Sequence, residues 1–193
     1  MMDPLTHLRT LIASLDQELV DHLVTRAQLP RNERIYDEMG DLPGGLDAMA
    51  GPFADTTTLA GRVQILRPAY LQQWLPLLCA SGGKGDRAPC MAADTACLDT
   101  LARRLALSVH VATRKREAIP ETLQAAIDTG DPAQVEATIT HPEVEVEVLA
   151  RIRARAIESG ADETTSERIP TLYSDWVIPL SRKIQVHGLL VDS

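Results

Sequence analysis

Arg104 and Lys115 stand eleven residues apart. At 100° per residue, that spacing returns to within ~20° of its starting direction, so on one helix both project from the same face. Two such cations can bind an anion or donate hydrogen bonds to growing negative charge. His141 and Glu145 form an i, i+4 pair, as do Ser181 and Gln185, one turn beyond Pro179. Gln185 lies in the apolar run VIPLSRKIQVHGLL, so a buried amide in need of partners is expected there. Arg9 precedes Asp16 by seven residues on a shared face. Plainer readings stand beside these. Arg103, Arg104, Arg114, Lys115 and Arg116 are clustered, and on spacing alone they read first as a solvated basic stripe. His141 sits at a helix start beside Pro142, and Glu145 reads as a solubilising surface residue.

Other chemistries lack their residues. The five histidines (His7, His22, His110, His141, His187) show no HExxH or other metal-ligand spacing. No nucleophile–base arrangement and no glycine-rich phosphate loop stands out. Cys79, Cys90 and Cys97 are odd in number and form no CxxC pair, which favours reduced, partly buried thiols over a disulfide framework. Positioned charges and hydrogen bonds, with no metal ligands among them, are what this chain offers.

The elements that must position those side chains are helices. Residues 1–193 suit a single domain with a substantial core. With 3% aromatic residues and abundant Leu and Ala, an all-α helical bundle is expected over sheets. Sites in bundles are built from side chains projecting inward from several helices. The net charge of −8 disfavours nucleic acid and anionic membranes as partners while allowing a local basic pocket. No apolar run approaches the ~20 residues that span a bilayer. The start, MMDPLTHLR, has no signal-peptide pattern, so a cytoplasmic protein is expected.

Leu5, Leu8, Leu11, Ile12, Leu15, Leu19, Leu23 and Val24 recur at helical spacing and predict a first helix over Pro4–Leu29. Pro43–Pro52 reads as a loop, with three Gly and two Pro. A helical stretch over Thr57–Cys79 is expected to break near Pro68 and Pro76. Ser81–Pro89 is a second loop. A long helix follows over Met91–Glu117, with Leu98, Leu101, Leu105, Val109 and Ala112 on its buried face. Short helices start at Pro120 and Pro132. Residues 143–148 (EVEVEV) alternate like a strand, but Pro142, the continuing pattern and Gly160 favour a helix over Pro142–Ser159. A last helix over Thr171–Leu190 should bend at Pro179.

Three blocks carry a resemblance: LRTLIASLDQELVDHLVTRAQLPRNERIYDE, CLDTLARRLALSVHVATRK, and ITHPEVEVEVLARI through the acidic ADETTSERI loop to LYSDWVIPLSRKIQVHGLL. In this order and spacing the chain resembles the all-helical chorismate mutases, specifically the larger eukaryotic type in shortened form. The blocks cover both ends and most of the C-terminal half. The last is the most specific, through its helix, loop, helix order and its IPLS bend.

The resemblance implies an isomerase that rearranges chorismate to prephenate, on the route to phenylalanine and tyrosine, without a cofactor or covalent intermediate. The substrate carries two carboxylates, and negative charge grows on its ether oxygen as the bond breaks. Arg9 and Arg104 match the carboxylate-binding arginines. Lys115 matches the donor to the ether oxygen, and Glu145 the acceptor from the ring hydroxyl. Ser181 falls where the family has Thr, and His141 where the larger type has Asn. Gln185 falls where the larger type has a Glu that must be protonated to donate; short bacterial members use Gln there, and a Gln amide donates at any pH.

The resemblance also implies a homodimer. The middle of the chain departs from it. The family's effector-binding Gly-Ser is replaced by Ala88-Pro89, and Pro89 has no backbone N–H for an effector carboxylate. Regulation by tyrosine or tryptophan of the usual kind is therefore not expected. Two other readings fit the scaffold: an isochorismate–pyruvate lyase-like enzyme, and a non-catalytic helical effector-binding module. The eukaryotic-type C-terminal block speaks against the first. Joint retention of Arg9, Arg104, Lys115, Glu145 and Gln185 speaks against the second.

Overall fold

A computed structural model describes residues 4–36, 41–42, 44–83 and 86–191, the side chains of residues 4 and 5 excepted. The expectations for the side chain of Leu5, for Pro43, for residues 84–85 of the second loop and for residues 1–3 fall outside the described residues.

Ten α-helices are described: α1 (Pro4–Ala27), α2 (Leu46–Asp55), α3 (Leu59–Ala69), α4 (Leu75–Leu78), α5 (Arg87–Ala118), α6 (Pro120–Asp128), α7 (Pro132–Ile139), α8 (Pro142–Glu158), α9 (Glu163–Leu172) and α10 (Ile178–Val191). A short 3-10 turn (Glu33–Ile35) follows α1, and no strand occurs among the described residues. Helix starts follow local chemistry. The carboxylates of Asp86, Asp131 and Asp162 accept from the backbone N–H groups of Ala88, Ala133 and Thr165 at 3.3, 2.9 and 2.7 Å. Pro120, Pro132 and Pro142 occupy first turns, where a missing N–H costs nothing. Gly160, at φ 88°, takes the left-handed conformation that ends α8. The EVEVEV segment is helical, as Pro142 and Gly160 foretold.

Four expectations are corrected. Residues 46–55 are helical, not a loop. Met49, Ala50 and Phe53 form a buried stripe against α10. At Gly51 an added Cβ would lie 3.2 Å from the His187 ring, so the glycine marks a close helix approach. The ADETTSERI segment is no loop either. Asp162 caps α9, and Thr165, Ser166 and Ile169 are its buried face. Residues 87–89 belong to α5, with Pro89 in its first turn.

The fourth correction concerns the prolines. Pro68 is carried inside α3 without the expected break. The irregularities expected near Pro76 and Pro179 are present, as π turns just before them at Tyr70–Trp74 and Tyr173–Val177. The N–H of Leu75 reaches the Tyr70 carbonyl, and that of Ile178 reaches the Tyr173 carbonyl. A proline ring crowds the carbonyl four residues back and donates nothing, and the wider turn relieves both problems.

Helix α1 lies along α5, and α10 packs on both α2 and α5. Helix α8 bridges α1 and α9. A large core cluster includes Leu19, Leu23, Phe53, Leu98, Leu105, Ile152, Tyr173 and Ile184. A smaller one joins Ala112 of α5 to Leu123, Ile127, Val135, Ile139, Val186 and Leu189. Between Leu105 and Ala112, α5 passes from one apolar cluster to the other. Arg104 stands just before that passage and Lys115 one turn after it, and both line the site.

Candidate active site

A cavity of about 370 Å³ opens between α1, α5, α8 and α10, within the usual ~300–1,000 Å³ of small-molecule sites. Arg9, Arg104, Lys115, His141, Glu145, Ser181 and Gln185 all line it. The seven residues singled out in the sequence thus come together at one place. Arg151 and Arg182 line it too, giving five cationic side chains against the carboxylates of Glu145 and Glu147. Apolar walls come from Ile12, Val111, Ile139, Val144, Val148 and Ile178. An acidic chain has therefore concentrated cations in one recess.

Arg104 is buried. Its Nε donates to Asp16 Oδ1 at 3.0 Å, and its Nη1 to Ser181 Oγ at 3.2 Å. Ser181 Oγ is also 2.7 Å from Ser108 Oγ. Tyr173 donates to Asp16 Oδ1 at 3.2 Å, and burial pushes its phenol well above the usual range. Asp16 is itself buried, and its Oδ2 has no hydrogen-bond partner among the described residues. The guanidinium is thus held from behind by Asp16 and Ser181, with Nη2 the nitrogen these bonds do not use.

Lys115 Nζ donates to the Ile139 carbonyl at 2.8 Å. Its pKa is lowered to about 8, first by burial and then by Arg9 and Arg182, against a raising effect of Glu145. Gln185 is 5% exposed; its Nε2 donates to the Ser181 carbonyl at 3.1 Å, and its Oε1 is buried without a partner. Glu145 pairs with Arg182 at 3.4 Å. His141 is the N-cap residue of α8 without a side-chain cap bond, and its ring is half exposed, 3.6 Å from Glu143. Arg9 is exposed at the cavity's edge.

The other members of the basic cluster go elsewhere. Arg103 pairs with Glu18 at 2.5 Å, Arg114 with Glu117 at 2.7 Å, and Arg116 donates to Gln124 at 2.9 Å. Asp16, Ser108, Arg151, Tyr173 and Arg182 escaped the sequence reading as site residues. For Asp16 a signal existed: a carboxylate on the apolar face set by Ile12, Leu19 and Leu23 needs a buried partner. For Arg182 none did.

The family model described as chorismate mutase type II matches residues 87–186. A chorismate mutase of Emericella nidulans is 25% identical over 96% of this chain and 91% of its own length. Chorismate mutase 1, chloroplastic, of Petunia hybrida is 29% identical over 72% of this chain and 46% of its own length. Among solved structures, the chloroplast chorismate mutase of Zea mays superposes with a TM-score of 0.77 at 22% identity, covering 98% of this chain and 96% of that one. The Candida albicans chorismate mutase in complex with L-Trp gives 0.76 at 18% identity, covering 96% and 90%. These structural likenesses extend the all-helical fold over the N-terminal residues that the family model leaves unmatched.

Proposed function

Because the chain belongs to the chorismate mutase type II family, it is an isomerase that converts chorismate to prephenate, and we propose that the cavity between α1, α5, α8 and α10 is its active site. The supporting observation is the convergence there of Arg9, Arg104, Lys115, Glu145 and Gln185, contributed by four different helices.

The reaction moves a bond within one molecule, so the protein's task is to hold a compact conformer and to meet charge as it develops. Arg9 and Arg104 take the two substrate carboxylates, Arg104 through the nitrogen left by Asp16 and Ser181. Glu145 accepts from the ring hydroxyl. Lys115 and Gln185 donate to the ether oxygen, where negative charge grows in the transition state. An amide carries two N–H bonds, so Gln185 can keep one on Ser181 and aim the other at substrate. His141, at the rim, borders the substrate. No step needs a nucleophile or a cofactor.

The proposal includes residues 1–193 as a single domain in a homodimeric, cytoplasmic enzyme. Three buried, free cysteines suit a reducing compartment. No described helix is long and apolar enough to cross a membrane.

The test follows chorismate loss by ultraviolet absorbance, with prephenate identified as product. Lys115→Ala should abolish most turnover. Loss of less than tenfold in Lys115→Ala would remove the cavity from consideration. Isochorismate turnover would select the lyase reading, and tight binding without turnover the non-catalytic one.

A further inference from the structure

Ser108 sits on α5 one turn after Arg104, is 1% exposed, and does not line the cavity. Serine does little for a helix interior, and a buried hydroxyl there must find a partner where it stands. Among the described residues its hydrogen-bond partner is Ser181 Oγ on α10, at 2.7 Å. The direction of that bond follows from a count of hydrogens. A hydroxyl has one hydrogen to give and two lone pairs to receive. If Ser181 donated, the Ser108 hydrogen would be buried without an acceptor, at the cost of an unmade hydrogen bond. Ser181 has another outlet for its own hydrogen, because it lines the cavity. Ser108 therefore donates and Ser181 accepts.

That direction fills the Ser181 oxygen. One lone pair takes Arg104 Nη1 at 3.2 Å, and the other takes Ser108. Gln185 Nε2 lies 3.1 Å from the Ser181 carbonyl and 3.4 Å from the same Oγ. The carbonyl holds one of its two N–H bonds. With both lone pairs of Oγ taken, the second N–H finds no acceptor there and is left for the cavity.

We propose that Ser108 is a positioning residue of the active site: by filling the remaining lone pair of Ser181, it keeps the second Gln185 N–H available to the substrate's ether oxygen. This rests on the reading of the cavity given above. Ser108 touches no substrate; it acts on Gln185 through Ser181. Without its hydroxyl, the vacated lone pair competes with the substrate for that N–H. The loss falls on the transition state, where the ether oxygen carries most charge, so it is a loss in kcat more than in KM.

The experiment compares Ser108→Ala, Gln185→Ala, the double variant and Lys115→Ala, with circular dichroism to confirm folding. Ser108→Ala should lower kcat about fivefold, the scale of one neutral hydrogen bond, with KM little changed. Ser108→Thr, which keeps the hydroxyl, should restore part of the loss. In the Gln185→Ala background the same Ser108→Ala exchange should cost nothing further, because no N–H remains to be diverted. A role in packing alone would give the same loss in both backgrounds. Parent-like kcat in Ser108→Ala, or an equal loss with and without Gln185, would overturn this inference alone, provided that Lys115→Ala is inactive. An active Lys115→Ala would overturn the reading beneath it. Should Ser108→Ala not fold, Ser108→Cys, with its weaker donor, carries the comparison, and parent-like kcat there overturns the proposal.

Discussion

The Lys115 ammonium donates to the last carbonyl of α7, that of Ile139, at 2.8 Å. That carbonyl has no intrahelical partner, so the lysine satisfies it and is fixed by it. The position is also desolvated, and the lysine's pKa falls to about 8. Only the protonated form brings a positive charge and a charge-assisted hydrogen bond to the ether oxygen. Activity should therefore be full below that value and decline as pH rises through it, with the loss of one proton. A kcat/KM profile flat to high pH would contradict this, since kcat/KM reports groups of the free enzyme. Lys115→Ala should lose about 10²–10³-fold in rate, the scale of one oxyanion donor.

Gln185 offers a contrasting titration. The amide is neutral, so the parent enzyme should show no decline across the range where a carboxylic acid ionises. Gln185→Glu places a carboxyl at a 5% exposed position, and burial raises its pKa. That variant should work in acid, when its carboxyl can donate, and fail as pH rises. Parallel profiles for the two enzymes would refute the donor role.

Asp16 should matter for both folding and binding. Asp16→Ala leaves the buried Arg104 without its carboxylate, which costs about 3–5 kcal/mol for a broken buried pair. Chemical denaturation would measure this loss. The surviving folded enzyme should show a raised KM, because Arg104 is no longer aimed.

Asp94 should matter for folding alone. Arg26 is fully buried; its Nε donates to Asp94 Oδ1 at 2.6 Å, and Tyr70 donates to the same oxygen at 2.8 Å. Tyr36 donates to the other carboxylate oxygen. Asp94→Ala should destabilise by about 3–5 kcal/mol. At temperatures where it remains folded, kcat and KM should match the parent, since no member of this group lines the cavity.

Tyrosine or tryptophan added to the assay should leave the rate unchanged. Pro89 stands in the first turn of α5 and has no N–H to offer an effector carboxylate. A large change in rate with either amino acid would contradict this expectation.

Where one uninterrupted helix does the positioning, the sequence was enough. Arg104 and Lys115 lie on α5, whose regular spacing carries both to the cavity. The burial of Gln185 followed from the apolar run around it. What escaped depends on which helices cross. Arg182 looks like any cation in RK until α7 and α8 bring Glu136 and Glu145 beside it. Arg26, in the polar stretch TRAQ, gives no sign that Asp94 will meet it across the fold. Gly51 and Pro52 read as helix breakers, because the packing of α2 on His187 is invisible to local propensity. Asp162 to Ser166 read as an acidic loop, because a capped first turn is polar by construction.

The π turn at Tyr173–Val177 decouples chain length from facing. Such a turn holds one more residue than a turn of α-helix. The extra residue is taken up in the width of that single revolution, so the residues before and after it keep their direction. Deleting a single residue there would leave a continuous helix, with Ser181 and Gln185 still turned toward the cavity that they share with Lys115. The last helix can thus gain or lose one residue upstream without losing its place in the site.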